Sequence, residues 1–174
     1  MKKTAFFCFA LLLSFFSTNA QTTMVFEDWH RSTGSQAFTE KVTIQTDPYG
    51  SVYVAGATES VQGNLDIQIT KYDRRGNLLW TDQYAGLGNG DDAAYALIVD
   101  SRCNAYLTGK TYTSTVDSFD AVTIHYDSSG TRQWVAVFGG TSGQDDWGTG
   151  IALDATGVYV GGNSIQNGTG KDFL

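Results

Sequence analysis

The chain has 174 residues, a formal charge of −7, 20 glycines, one proline and two cysteines. So acidic a chain repels phosphate backbones, which makes nucleic acid a poor partner. One of the cysteines, Cys8, sits in an apolar leader, so the remainder of the chain has no intrachain disulfide to hold it.

At the N-terminus, Lys2 and Lys3 precede an apolar run from Phe6 to Phe16 broken only by Ser14, followed by Ser17-Thr18-Asn19-Ala20. A basic start, a short apolar centre and a small-residue end make residues 1–20 read as a secretory signal peptide cleaved after Ala20. The run is too short for a membrane span: as a helix it would reach about 16 Å, and a span takes roughly 20 residues. Cys8 lies far from the cleavage point and does not read as a lipid-attachment cysteine. Cleavage removes two lysines and no acid, so the mature charge is −7 − 2 = −9. That charge reads as solubility in an extracellular or cell-envelope setting.

Beyond residue 20 there is no helical periodicity, and Val, Ile, Thr, Tyr and Gly are abundant, as in strands and turns. The dominant feature is an internal repeat, which bears on the fold before any local pattern does. Asp47, Tyr53, Gly56, Thr58, Asp66, Tyr72, Asp73, Gly76, Trp80, Gly86, Asp91 and Asp92 return as Asp100, Tyr106, Gly109, Thr111, Asp120, Tyr126, Asp127, Gly130, Trp134, Gly140, Asp145 and Asp146. The offset is 53 residues up to Thr111 and 54 from Asp120, so one residue is inserted between them. A third copy opens at Asp154 with Tyr159, Gly162 and Asp172.

Each unit reads as four strands. In the first, Phe38 to Asp47 is a strand, and Asp47-Pro48-Tyr49-Gly50 is a turn with Pro setting φ and Gly closing it. Ser51 to Thr58 follows, with Val52 and Val54 on one face and Tyr53 on the other. Residues 59–65 form a polar loop, Asp66 to Tyr72 is the third strand, and Asp73-Arg74-Arg75-Gly76 is a second tight turn. Asn77 to Tyr84 is an outer strand carrying Trp80. Gly86-Leu87-Gly88-Asn89-Gly90 then reads as a flexible connection. In the third strand the apolar positions change face between units, from Ile67 and Ile69 to Val122, Ile124 and Tyr126. A sheet with one wet face does not trade faces in this way, whereas one stacked between two neighbours can. The fold expected is all-β, with β-propeller blades of four antiparallel strands. About two and a half blades are present, an incomplete ring. Trp80 and Trp134 should stack on the adjacent blade.

The boundaries follow: signal peptide 1–20, then the N-terminal part of a propeller domain, 21–174. Within it, 24–37 is the outer strand of a closing blade (Val25, Phe26, Trp29) with a connector. Blade one is 38–92, blade two 93–146 and a partial blade three 147–174. The strand beginning at Lys171-Asp172-Phe173-Leu174 matches Asp66 and Asp120, so the chain is expected to be a fragment whose remaining blades lie further along its own full-length chain.

Asp-x-x-Gly-x-x-x-Trp (Asp73, Gly76, Trp80; Asp127, Gly130, Trp134), a Gly-rich Asp-Asp, a strand ending in Asp and a Tyr/Val strand ending in Gly-x-Thr resemble the bacterial seven-bladed β-propeller repeat family known as SBBP repeats. The resemblance covers about residues 38–174. It implies a bacterial protein in the envelope or outside the cell. The Asp-x-x-Gly-x-x-x-Trp element also resembles the repeat of pyrroloquinoline-quinone-dependent dehydrogenases, whose alternating Ala and Thr are mostly missing here.

No catalytic or metal constellation stands out. The acidic pairs Asp91/Asp92 and Asp145/Asp146 beside glycines could ligate calcium, but two carboxylates fall short of its six to eight oxygens. The simpler reading has one Asp capping its turn and the other solvated. His30 and His125 are unrelated by the repeat and read as surface or edge residues. Cys103 stands in a turn position held by Gly50 and Gly157, and reads as a tolerated substitution. Asn167-Gly168-Thr169 fits a glycosylation sequon. No Gly-x-Ser-x-Gly elbow, P-loop or His-Glu-x-x-His occurs. The expectation is a secreted or cell-surface propeller acting as a binding scaffold for a protein or glycan, with no cofactor and no catalysis. Loops 59–65 and 112–119, which differ between units, would carry specificity. The alternative is a propeller enzyme, quinone-dependent dehydrogenase-like or a glycan hydrolase or lyase, whose site lies mostly beyond residue 174.

Overall fold

A computed structural model describes residues 38–88, 90–113, 118–140, 143–166 and 170–173. The leader, the Val25–Trp29 segment, His30 and the Asn167–Thr169 sequon lie outside the described residues. Strands β1 (Thr43–Thr46), β2 (Val52–Glu59), β3 (Leu65–Tyr72) and β4 (Leu78–Tyr84) form one antiparallel sheet in that order. Strands β5 (Ala93–Val99), β6 (Ala105–Tyr112), β7 (Phe119–Tyr126) and β8 (Arg132–Phe138) repeat it. Strands β9 (Asp146–Leu153), β10 (Val158–Gln166) and β11 (Gly170–Phe173) form a third sheet, of three strands. The described residues hold no helix. The expected all-β chain of four-stranded antiparallel units is therefore what forms.

The aspartates make the tight turns. Asp47 Oδ1 accepts the N–H groups of Tyr49 and Ser51, and Asp73, Asp100 and Asp127 do the same two and four residues on. Each of these turns closes with an N–H donated back to the Asp carbonyl by Gly50, Gly76, Cys103 or Gly130. Those four residues have φ of 82°, 79°, 65° and 87°, the left-handed region that glycine enters without steric cost. Cys103 accepts the strain, as a turn substitution should. Gly157 does not share this geometry. Tyr159 comes only five positions after Asp154, where Tyr106 comes six after Asp100, and the shorter turn keeps Gly157 out of positive φ.

Register explains the Gly-x-Thr element. Ala94 pairs with Gly109 and Ala96 with Thr108, so Tyr95 bulges out. The bulge drives the Ala93 carbonyl onto Gly109, where a Cβ would overlap it. Gly162 stands in the same relation to the Trp147 carbonyl. In the first unit the irregularity is larger and shortens the first strand. Pairing from Thr43↔Ala55 would set Glu40 opposite Thr58, yet Phe38 is there. The strand expected from Phe38 is thus the four residues Thr43–Thr46 plus a lone bridge.

The sheets stack in chain order. Tyr53, Ala55, Ile67 and Ile69 on one face of the first sheet bury against Ala105, Leu107, Val122, Ile124 and Tyr126 of the second. These nine side chains are fully buried. The traded apolar faces are explained: the first sheet's core face looks forward, the second's backward. The second sheet's other face carries Tyr106, Thr108 and His125, and Thr108 is fully buried where Gly148 of β9 comes against it. The first strands β1, β5 and β9 touch in succession, while the outer strands β4 and β8 make no comparable contact. The stack is therefore a fan, narrow at the first strands.

Trp80 locks the first pair of sheets. Its ring stacks on Tyr126 at 6.0 Å and 25° and meets Tyr53 edge-on at 5.9 Å. Its indole N–H donates to the Ser128 carbonyl at 3.3 Å. Trp134 has the same neighbours on its own sheet, Tyr106 and His125, but is 39% exposed. Among the described residues only Trp80 stacks across sheets as expected.

Candidate functional site

The longer connections share one end of the sheets, opposite the aspartate turns, and bind one another there. Asn64 donates through Nδ2 to the Gly90 carbonyl at 2.8 Å, and Gly88 N–H donates to the Tyr112 carbonyl at 3.1 Å. Leu65 N–H reaches Asp91 Oδ1 at 2.9 Å while Asp92 N–H returns to the Leu65 carbonyl at 2.6 Å. Phe119 N–H reaches Asp145 Oδ1 at 3.0 Å, repeating the tie.

The acidic pairs are thus not one cap and one solvated group. Asp92 is fully buried and accepts the N–H groups of Gly86 at 2.6 Å and Tyr112 at 2.9 Å. Asp146, also fully buried, accepts the Gly140 N–H at 2.6 Å. Both members of each pair serve the backbone, because a sharp connection between sheets leaves buried N–H groups that need a partner outside the strand ladders. Burial raises the Asp92 carboxyl above its ordinary value against the pull of these N–H groups, and burial and then the Asp92 charge raise Asp66. Among the described residues no three His, Cys, Asp or Glu side chains are placed to share a metal ion.

The glycines beside them are close-packed rather than flexible. A Cβ on Gly88 or Gly90 would run into the Tyr112 ring, and one on Gly86 into Thr111 and Asp92. Tyr112 in turn meets Phe119 edge-on at 5.8 Å, with Lys110 Nζ 4.4 Å from the Phe119 centroid. Loops 59–65 and 112–119 do flank this end, although 114–117 lie outside the described residues.

His125 is neither an edge residue nor foreign to the repeat. It stands 54 residues after Lys71, and each pairs with the repeat tyrosine, Lys71 with Tyr53 and His125 with Tyr106. Lys71 Nζ sits 3.3 Å from Asp47 Oδ2 and 4.7 Å from the Tyr53 centroid. His125 instead lies flat on Tyr106, centroids 4.3 Å apart at 1°. Asp100 finds its second partner in its own turn, Asn104 Nδ2 at 2.9 Å. The first unit has Ser51 at that place, so Asn104 relieves Asp100 of the need for a lysine. Burial holds the imidazole below its ordinary pKa, and neither ring nitrogen has a hydrogen-bond partner.

No protein-family model matches the sequence. The chain is 33% identical over 124 residues to "Regulatory protein FlaEY" of Caulobacter vibrioides, a match that takes in 61% of this chain. The chain spans 12% of the length of that relative.

Proposed function

We propose that this chain is part of a secreted, SBBP-type β-propeller protein that works as a binding or scaffold module and not as a catalyst. The fan carries the reading: successive four-stranded sheets meet at their first strands and splay at their outer ones. A ring of blades needs that wedge at every step. The signal-peptide pattern of residues 1–20 supports export.

The division of labour within each unit supports binding. Asp47, Asp73, Asp100 and Asp127 spend their carboxylates on turns, and Asp91, Asp92 and Asp145 spend theirs on loop backbone. Variation collects instead in the β2–β3 and β6–β7 loops, on a fixed frame. The name of the FlaEY relative, a regulatory protein, accords with a partner-binding role.

The test is an array of glycans and envelope proteins probed with the complete secreted protein. Binding that is lost when residues 59–65 are exchanged for a Gly/Ser loop supports the module. No binding anywhere on the array, together with turnover of a sugar or alcohol substrate, overturns it.

A further inference from the structure

Each four-stranded sheet ends in an outer strand that pairs on one side. β4 pairs with β3 and β8 with β7, and neither has a second neighbour among the described residues. Both are the fourth strands of complete units, so further units of a ring place no strand beside them. The two edges differ in how they are guarded. β4 carries Asp82, which receives the Tyr126 hydroxyl at 2.8 Å and Arg132 Nε at 3.5 Å. Fifty-four residues on, β8 has Ala136 in that place. From Gln133 to Phe138 β8 has no charge and no proline, two of the devices that keep an edge strand from pairing. All seven residues of β8 are exposed. Past a bulge at Gln133 its pairing with β7 is regular from Trp134 to Phe138, so its outward row of backbone N–H and C=O groups is unbroken there. Val135 and Val137 lie opposite Ile124 and Val122 of β7, on the face turned toward the first sheet. They are 38% and 42% exposed because the outer strands splay apart, although the first sheet is already in place.

We propose that β8 is a self-association edge, which pairs antiparallel with β8 of a second copy of this chain about a two-fold axis at Ala136. The unpaired backbone row calls for another strand, and the side chains say which one. About Ala136, Val135 stands opposite the partner's Val137 on one face, and Trp134 opposite the partner's Phe138 on the other. β-branched and aromatic cross-strand pairs are favourable ones, and the two-fold forms each of them twice. A foreign strand would have to carry this pattern independently, whereas a second copy brings it. β4 does not suit itself in the same way. Paired about Thr81 it would set Asp82 against Trp80, and paired about Asp82 it would bring two carboxylates face to face. Arg132, the one charge on β8, is held by Asp82 at the start of the strand, away from the centre of the pairing. One strand a side makes a small interface, so the association is weak and reversible. It rests on the four-strand unit and not on the module reading, so either can fail alone.

Sedimentation equilibrium of the full-length protein across the micromolar range tests it. The expected result is a reversible monomer–dimer equilibrium. Val137→Lys, at an exposed position, should weaken the dimer about tenfold or more by burying a charge in the pairing. Gln83→Lys, at the same place on exposed β4, should leave it unchanged, and far-UV circular dichroism checks that both variants fold. Ala136→Cys supplies a second readout. Opposite Cα atoms of an antiparallel pair stand about 4.5–5.5 Å apart, within reach of a disulfide. Ala136→Cys should therefore link two copies under oxidising conditions, and Gln83→Cys should not. A protein that stays monomeric at every concentration would overturn the proposal. So would a dimer that Val137→Lys leaves unchanged, or one that Ala136→Cys does not cross-link.

Discussion

Gly63 and Gly130 have the same φ, 87°, and differ only in what a side chain would meet. Nothing lies within 4 Å of a Cβ at Gly63, whereas one at Gly130 would sit 2.5 Å from Trp80 Cδ2. Alanine in the left-handed region costs about 1–2 kcal/mol, less a few tenths to 1 regained from its stiffer unfolded chain. Gly63→Ala should therefore cost about 1 kcal/mol. Gly130→Ala should cost that and displace the indole from Tyr126 and from the Ser128 carbonyl, contacts worth about 1 kcal/mol each. The total is about 3 kcal/mol. With a urea slope of about 2 kcal/mol/M, far-UV circular dichroism should show midpoints lowered by about 0.5 M and about 1.5 M. In a Trp80→Ala background Gly130→Ala should fall to the Gly63→Ala cost, a coupling of about 2 kcal/mol. Equal costs for Gly130→Ala in the two backgrounds would refute the inter-sheet lock.

Asp92→Ala strands the buried N–H groups of Gly86 and Tyr112. It should destabilise by about 2–4 kcal/mol, against less than about 1.5 for Asp91→Ala, by the same urea assay. Acid should act through the turns. At Asp47 burial pushes the carboxyl up, but the Ser51 and Tyr49 N–H groups and Lys71 outweigh it, and bonds from Asn77, Ser129 and Thr156 lower Asp73, Asp127 and Asp154 below the ordinary 3.8. A lowered folded value means that the unfolded chain binds more protons. This stability is thus complete above pH 3.8 and lost as pH falls through the folded values, and Asp127→Asn should flatten the acid limb of midpoint against pH. Cys103 is buried, and burial raises its thiol. Peptide-level mass spectrometry should find it unalkylated in the folded protein and alkylated in urea.

The turns and the repeat were legible because both rest on local chemistry. Asp followed by Gly three residues later marks the turns at Asp47, Asp73 and Asp127, and Trp80 announces an outer strand. Long-range packing was not legible in the same way. The Gly86–Gly90 run looks flexible until the Tyr112 ring is seen against it. Gly109 looks like a strand glycine until a bulge pushes the Ala93 carbonyl onto it, and Gly56 until the Phe38 ring is seen against it. Two adjacent aspartates carry no mark of which one is buried. Two further features do stand in the sequence. The 54-residue offset applied to Lys71 leads to His125, and the five-residue spacing from Asp154 to Tyr159 shows that Gly157 cannot take the Cys103 place.

The central claim is that these units are wedges of a ring. A structure of the full-length protein tests it most directly. The account predicts sheets arranged radially, with Thr43–Thr46, Ala93–Val99 and Asp146–Leu153 lining one axis and the Trp134 face covered by a further Tyr and Asp-x-x-Gly turn like Tyr126 and Asp127–Gly130. Sheets stacked in a line without a common axis, or Trp134 left facing solvent in the complete protein, would contradict it.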